Sequence, residues 1–222
     1  MPGSREDGPP FAASPSLAEG GRDVRATFLE AGAAFVAVVE GLDTRRLDDP
    51  ATSSWTLREL VAHATRGLLT VETTVAARVD ASTRWLSSAS AYFSTAMSAP
   101  QVHAGIVQRA RDAAAAVGDE PGRYARAALA GVTPLVEATP LDREVQHLAG
   151  RLRFDEYLAT RVVELTLHTA DVQLASGQEV AFPEAASALT RDVLVPLVGR
   201  VDPLAVACAL TARQGPACNI LG

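Results

Sequence analysis

The sequence contains no lysine and only two cysteines. All 20 basic residues are arginine, and together with abundant alanine this bias indicates a GC-rich coding source. Cys208 and Cys218 both lie near the C-terminus, and two cysteines are too few for a disulfide framework. We therefore expect reduced thiols in a cytoplasmic protein and assign no role to either cysteine.

Long uncharged hydrophobic runs are also missing, although hydrophobic residues make up 48% of the chain. No stretch reaches the roughly 18 to 20 apolar residues that a membrane-spanning helix needs. The formal net charge is −6, whereas a nucleic-acid-binding domain usually carries a basic patch. These absences favour a soluble protein with no membrane or nucleic-acid partner, and they leave a small-molecule substrate or a protein as the expected partner.

The first 21 residues have neither the basic nor the apolar region of a signal peptide, and they are rich in proline, glycine and serine. We expect residues 1–21 to form a disordered tail. The remaining residues, 22–222, are enough for one domain with its own core.

Helical periodicity dominates this domain. Apolar residues at three- and four-residue steps predict a helix from about Asp23 to Gly41, and a second helix follows with Ser54 or Thr56 as its N-cap. Alanine-rich segments at about 101–117 and 122–137 predict two more helices. Residues 80–101 show no clear period, so we expect a loop there with a helical turn around Trp85 to Met97.

The C-terminal part begins with a break in this period. The segment REVQHLAGRLRF predicts a short irregular hairpin or an extended loop. A long helix over 154–176 follows, with Asp155 as its cap and Gly177 at its end. Helices from Pro183 to about Val198 and from Pro203 onward complete the chain. The pattern predicts an all-α bundle, whose sites are built from side chains that project inward from facing helices.

The long helix carries a polar stripe in the segment RVVELTLHTAD. Arg161, Glu164, His168 and Asp171 follow one another at steps of three and four residues, which places them on one helix face. Glu164 and His168 are an i, i+4 pair, a spacing that lets both side chains bind one metal ion. Asp171 could orient an imidazole, and Arg161 could pair with a carboxylate or an anionic ligand.

His63 is the candidate for a third metal ligand. It lies among apolar residues of the second helix, where an unpaired imidazole would be costly. Two histidines and one glutamate leave a fourth position open for water or substrate, as in catalytic zinc sites.

A structural interpretation of the same residues stays open. The stripe could be the solvated side of its helix, and His63 could be a satisfied core histidine. We interpret His103 and His147 as surface residues. The larger aromatic side chains are interpreted as core or loop anchors: Trp55, Trp85, Tyr92 and Phe154.

Two segments carry a resemblance to a known family. WTLRELVAH, residues 55–63, resembles the signature W-T-v-r-d-L-v-a-H of the DinB-like superfamily, in its branch of mycothiol-dependent maleylpyruvate isomerase N-terminal domains. RVVELTLHTAD, residues 161–171, is similar to that branch's second signature, R-x-x-E-x-x-x-H-x-x-D. ALTARQ and NILG near the C-terminus are similar to the family's LTGR ending, so the resemblance covers about Asp23 to Gly222.

The resemblance implies a DinB-like four-helix bundle, here with additional C-terminal helices, that binds a divalent metal, usually zinc, through His63, Glu164 and His168. It also implies mycothiol, a low-molecular-weight thiol, as cosubstrate. Such a metal would favour the deprotonated form of an incoming thiol. The nucleophile would then belong to the cosubstrate, and the chain needs no catalytic cysteine.

The family's isomerase carries a further domain after its bundle, and the stretch after Asp171 is too short for one. We therefore expect a mycothiol-dependent S-transferase or isomerase acting on a small electrophile, with isomerisation of maleylpyruvate itself the weaker choice. Two alternatives stay open. One is a non-catalytic metal-binding stress or scaffold protein, and the other is a small-molecule binding module in which Arg161 recognises an anion. A homodimer is a further expectation.

Overall fold

The computed structural model describes residues 23–96, 100–200 and 203–210. Within these ranges the chain forms eight α-helices and one two-stranded hairpin, and the prediction of an all-α fold is confirmed. The elements are α1 (Val24–Glu40), α2 (Leu57–Ala76), α3 (Ala89–Ala96), α4 (Pro100–Val117), α5 (Pro121–Ala138), β1 (Glu144–His147), β2 (Gly150–Arg153), α6 (Phe154–Ser176), α7 (Glu184–Leu194) and α8 (Pro203–Leu210). Short 3-10 helices lie at Thr44–Arg46 and Val195–Arg200.

Four helices form the bundle. Helices α1 and α2 each pack against both α5 and α6, so the four surround a single core. Phe28 and Phe35 from α1, Leu60 and Leu68 from α2, and Leu158 from α6 are fully buried there. Burying a side chain of this size contributes about 1.5 to 3 kcal/mol. Helix α4 packs on α2. Helix α7 packs on α6 and α1, and with α8 it supplies the additional C-terminal helices.

Helix α6 is the central element of the fold. It contacts α1, α2, α3, α7 and both strands of the hairpin, and for this reason residues on every side of its first half are buried. Arg161 at the start of the polar stripe is therefore buried, whereas Glu164, His168 and Asp171 are partly buried, so the stripe is not simply a solvated helix side. Its polar residues must find partners inside the protein.

Of the three residues discussed here that were predicted to begin or end a helix, Thr56 and Gly177 do so and Asp155 does not. Thr56 caps α2 in a capping box, in which its hydroxyl accepts from Glu59 N and the Glu59 carboxylate accepts from Thr56 N at 2.9 Å. Gly177 ends α6 with a φ of 77°, a left-handed conformation that glycine adopts without strain. The assignment of Asp155 as the cap of α6 is wrong. Its buried carboxylate instead forms an ion pair with Arg153 at 2.7 Å.

The helical turn expected around Trp85 to Met97, within the region predicted as a loop, is helix α3. Glu156 on α6, itself buried, accepts a hydrogen bond of 2.8 Å from Ala89 N and so fixes the start of this helix. The hairpin forms as predicted, and its edge binds the segment before α3. Arg151 N donates to Arg84 O at 2.8 Å, and Leu86 N donates to Arg151 O at 2.7 Å. Helix α3 and the hairpin together form one wall beside α6.

The remaining predictions concern the C-terminal part. The helix expected from Pro183 to about Val198 ends as an α-helix at Leu194 and continues as a 3-10 helix. No helix in the described ranges combines the length and apolar character that crossing a bilayer requires. Cys208 is a free, buried thiol, and Cys218 and the disordered tail expected at residues 1–21 lie outside the described residues.

Candidate metal centre

The packing of α2 against α6 brings three metal-ligand side chains together. His63 Nε2 lies 3.0 Å from His168 Nε2, and His168 Nε2 lies 3.3 Å from Glu164 Oε2. One ligand atom from each of the three residues lies within 4.8 Å of the other two. His63 is 105 positions from His168 in the sequence, so the bundle itself assembles the cluster.

These distances fit a small divalent ion. Zinc binds histidine nitrogen and carboxylate oxygen at about 2.0 to 2.2 Å, so two donors on a tetrahedral ion lie about 3.3 Å apart. The separations of 3.0 and 3.3 Å are close to that value. Two imidazoles and one carboxylate also match the ligand preference of zinc and of other divalent transition metals.

Asp171 orients the ring of His168. Its Oδ2 lies 3.0 Å from His168 Nδ1, which leaves Nε2 directed at Glu164 and His63. A carboxylate behind a ligating histidine is the usual arrangement in zinc sites, because it fixes the tautomer and the ring orientation. Burial lowers the pKa of His168, but hydrogen bonds to Asp171 and Glu164 outweigh it and raise the pKa to about 9. Without a metal, His168 is therefore protonated at neutral pH, and its two N–H groups donate to the carboxylates of Glu164 and Asp171.

Glu164 is ionised in this arrangement. Burial raises its pKa, but the hydrogen bond from His168 and the positive charge of Arg161 dominate and lower the pKa to about 2. Its side chain is 29% exposed because it opens into a cavity. A carboxylate that stays charged can bind a cation at any physiological pH.

His63 is held by Trp55. The two ring centroids lie 4.5 Å apart with the planes tilted by 31°, and Trp55 also meets the ring of His168 edge-on at 6.3 Å. Burial and the nearby charge of His168 lower the pKa of His63 to about 3. The ring is therefore neutral, which is the form that binds metals. Trp55 was predicted to be a core or loop anchor, and in the structure its ring packs on His63, a candidate metal ligand.

Arg161 lies deeper in the protein than its place in the stripe implied. It is 7% exposed, and its Nε donates to Thr160 Oγ1 at 3.0 Å. Its guanidinium carbon lies 5.3 Å from the ring centre of Tyr157 and 5.9 Å from that of Tyr92. Among the described residues no carboxylate lies within ion-pair distance of it, although the charge of Glu164 acts on it across the cavity.

The three ligand residues open onto a cavity of about 780 Å³. Its walls come from α2, α3, α4, α6 and the hairpin turn. Among the lining residues that the structure describes, four are arginines and one, Glu164, is acidic. The arginines are Arg66, Arg78, Arg109 and Arg161. Because most of the charge in this cavity is positive, it favours a ligand that carries negative charge.

Tyr92 and His147 are site residues that the sequence interpretation missed. The Tyr92 hydroxyl lies 2.7 Å from His147 Nδ1, and both residues line the cavity. The interpretation of His147 as a surface residue is wrong, because its ring packs against Tyr157 at 5.3 Å. The strand alternation in the hairpin could have indicated this position. Val145 is buried, and His147 lies two residues further along the strand and therefore on the same face.

Comparisons with known proteins place this site in a family. The sequence model of the mycothiol maleylpyruvate isomerase N-terminal domain matches residues 28–173. The match runs from α1 to α6 and includes all three ligand residues. Comparison with curated proteins gave no match, and comparison with solved structures gave none. Because the match covers more than half of the chain, the protein belongs to the mycothiol maleylpyruvate isomerase N-terminal domain family.

Proposed function

We propose that His63, Glu164 and His168 bind one divalent metal ion, zinc by first choice, and that the protein uses it to react a low-molecular-weight thiol with a small electrophile. Mycothiol is the thiol that the family favours. The observation that carries this proposal is the meeting of three ligand atoms within 4.8 Å at the wall of a cavity of about 780 Å³.

When bound, the metal would supply Lewis-acid stabilisation of a thiolate, because a coordinating thiol is deprotonated near neutral pH. The protein's own residues supply the rest. Three protein ligands would leave a coordination position for water or substrate, and all three residues line the cavity. Asp171 and Trp55 keep the two imidazole rings in place, so little reorganisation is needed when the ion binds.

The electrophile enters the same cavity. Its positively charged wall supports a substrate that carries a carboxylate or another anionic group, since four arginines line the cavity with a single acidic residue. Arginine is suited to this role because its planar guanidinium donates two parallel hydrogen bonds. S-transfer and thiol-dependent isomerisation both begin with attack of the thiol on such a substrate, and both are consistent with this arrangement.

Metal content is the first test. The wild-type protein, a His168→Ala variant and a His147→Ala variant are purified without an affinity tag, offered zinc, freed of excess metal and measured by inductively coupled plasma mass spectrometry. We expect about one zinc per chain in the wild type and in His147→Ala, and none in His168→Ala. His147 is a matched control because it lines the same cavity outside the cluster. No metal in the wild type would overturn the proposal.

Turnover is the second test. Mycothiol is combined with a panel of small electrophiles, and the rate is compared between zinc-loaded protein, chelator-treated protein and the His168→Ala variant. We expect a rate that disappears with the metal and returns when zinc is added back. Full activity in metal-free wild type would contradict the mechanism. Stoichiometric metal without turnover would instead favour the alternative, a metal-binding scaffold or stress protein.

A further inference from the structure

A hydrogen-bonded pair of titratable side chains shares the cavity with the candidate metal centre. The Tyr92 hydroxyl and His147 Nδ1 are 2.7 Å apart and lie in the wall formed by α3 and the hairpin. Tyr92 is 5% exposed, and both residues line the cavity with His63, Glu164 and His168. Neither residue belongs to the ligand cluster, so the metal site does not explain why the cavity holds them.

Both partners are uncharged. Burial, and after it the positive charge of Arg161, lowers the pKa of His147 to about 3. Burial raises the pKa of Tyr92 to about 12. A neutral imidazole has one accepting nitrogen, and a phenol has one hydrogen to donate. The short contact therefore has the Tyr92 hydroxyl donating to Nδ1, which places the ring's own hydrogen on Nε2.

Arg161 is placed to stabilise the phenolate that forms if this pair gives up a proton. Its guanidinium lies beside the Tyr92 ring, and its positive charge lowers the pKa of the phenol against the effect of burial. The guanidinium carbon lies 5.9 Å from the centre of the Tyr92 ring, and both residues line the same cavity. A phenolate formed at Tyr92 would thus lie close to a guanidinium whose positive charge also acts on Glu164.

We propose that His147 and Tyr92 form a proton relay that protonates the electrophile as the thiol adds to it. This inference rests on the proposed function. It concerns electrophiles with a double bond conjugated to a carbonyl group.

The relay keeps atoms and charges in balance. The thiolate sulfur forms a bond to the outer carbon of the double bond, and the electron pair moves onto the neighbouring carbon and the carbonyl oxygen. His147 Nε2–H gives its hydrogen to that anion while Nδ1 takes the hydrogen of Tyr92. The phenolate that results is stabilised by Arg161. It then takes its hydrogen back from Nδ1 while Nε2 takes a proton from water, which restores the starting pair. The proton lost when the thiol ionised went to water, so the sum is thiol plus alkene to thioether.

The relay has a structural rival. The hydrogen bond could simply tie α3 to the hairpin, since it joins residues that are 55 positions apart. The two roles differ in what they predict for different reactions. Substitution on an aromatic chloride expels chloride and adds no proton to the substrate, so a relay is not needed there. A structural tie would affect both reactions alike.

The test compares the two reactions in zinc-loaded protein with mycothiol as the thiol. Ethacrynic acid reports addition, and 1-chloro-2,4-dinitrobenzene reports substitution. His147→Gln is expected to lower the enzyme-dependent addition rate on the order of 100-fold, the usual contribution of a general acid, and to leave substitution near the wild-type rate. Tyr92→Phe keeps the ring and is expected to lower addition alone, by roughly 10-fold, because Nε2–H remains. Metal content and circular dichroism confirm that each variant is folded and loaded.

The outcomes separate this inference from the proposed function. Equal losses in both reactions, or no accelerated addition in the wild type, overturn the relay and leave the proposed function in place. A wild type that accelerates neither reaction overturns the proposed function and the relay with it. Nitrogen-15 spectra of the histidine rings give an independent readout, assigned by the signal missing in His147→Gln. We expect the Nε2–H tautomer of His147, and the Nδ1–H tautomer would also overturn the relay.

Discussion

Asp171 is not one of the three candidate ligands, but the metal affinity of the site should depend on it. It accepts a hydrogen bond from His168 Nδ1 at 3.0 Å, and its side chain is 43% exposed. We expect Asp171→Asn to weaken zinc binding by about 10- to 100-fold, as other carboxylates behind ligating histidines do, because an amide orients the ring less firmly and leaves it less basic. Competition with a zinc-chelating dye measures the affinity.

The matched control for that change is Glu72→Gln, which removes an exposed carboxylate from α2 and alters the net charge equally. We expect unchanged zinc affinity in this variant. If both variants weakened binding to the same degree, the effect of Asp171 would be long-range charge and not ring orientation.

Trp55 makes metal binding visible in the protein's own fluorescence. Its ring lies 4.5 Å from His63 and 6.3 Å from His168, and the chain has one other tryptophan, Trp85, which is 45% exposed. In a Trp85→Phe background we expect Co²⁺ to quench the emission and to saturate at one equivalent, because unpaired electrons act only on a nearby indole. The same titration after His168→Ala should show no saturable change. Equal quenching in both proteins would place the ion elsewhere.

Elements differ in how far sequence alone predicts them, and the difference has a physical cause. Helices α1, α2 and α6 were predictable because their apolar period, capping groups and final glycine are local features. For α3 only a helical turn was predicted, because the group that fixes the start of this helix is Glu156, 67 residues away on α6. Tyr92 and His147 were missed for the same reason. Their meeting requires both α3 and the hairpin to be in place.

The hairpin's position beside α3 depends on one glycine. Gly150 has a φ of 155°, and a Cβ atom at this residue would lie 2.6 Å from the backbone oxygen of Arg84. We expect Gly150→Ala to lower the free energy of unfolding by about 1 to 3 kcal/mol, because backbone atoms must move to relieve the contact. Urea denaturation followed by circular dichroism measures this change.

Gly131→Ala provides a control of opposite sign. This glycine lies in the exposed face of α5, with no atom within 4 Å of the added Cβ. There the substitution should raise the free energy of unfolding by roughly 0.5 to 1 kcal/mol, since alanine loses less backbone entropy in a helix. A neutral Gly150→Ala would show that the hairpin can shift away from Arg84 without cost.

At the scale of the whole molecule, the bundle determines where chemistry can occur. The two signature segments lie about 100 residues apart, and only the packing of α2 on α6 brings them together. The helix spacing indicated Glu164 and His168 as a pair, and the apolar surroundings indicated His63. The cavity could not be predicted from the sequence. Its positive wall combines arginines from α2, α4 and α6, and no local sequence pattern indicates how these helices are placed relative to one another.

A metal held between α2 and α6 should stabilise the whole fold. The three ligands come together only in the folded chain, so the ion binds the native state and adds about 4 kcal/mol when its free concentration is a thousand times the dissociation constant. For a chain of this size that corresponds to a rise in Tm of roughly 10 °C, measured by differential scanning calorimetry with and without zinc. A chelator should reverse the rise, and His168→Ala should not show it. A similar rise in that variant would mean that zinc stabilises the protein at another site, and the cluster of His63, Glu164 and His168 would lose its role as the metal centre.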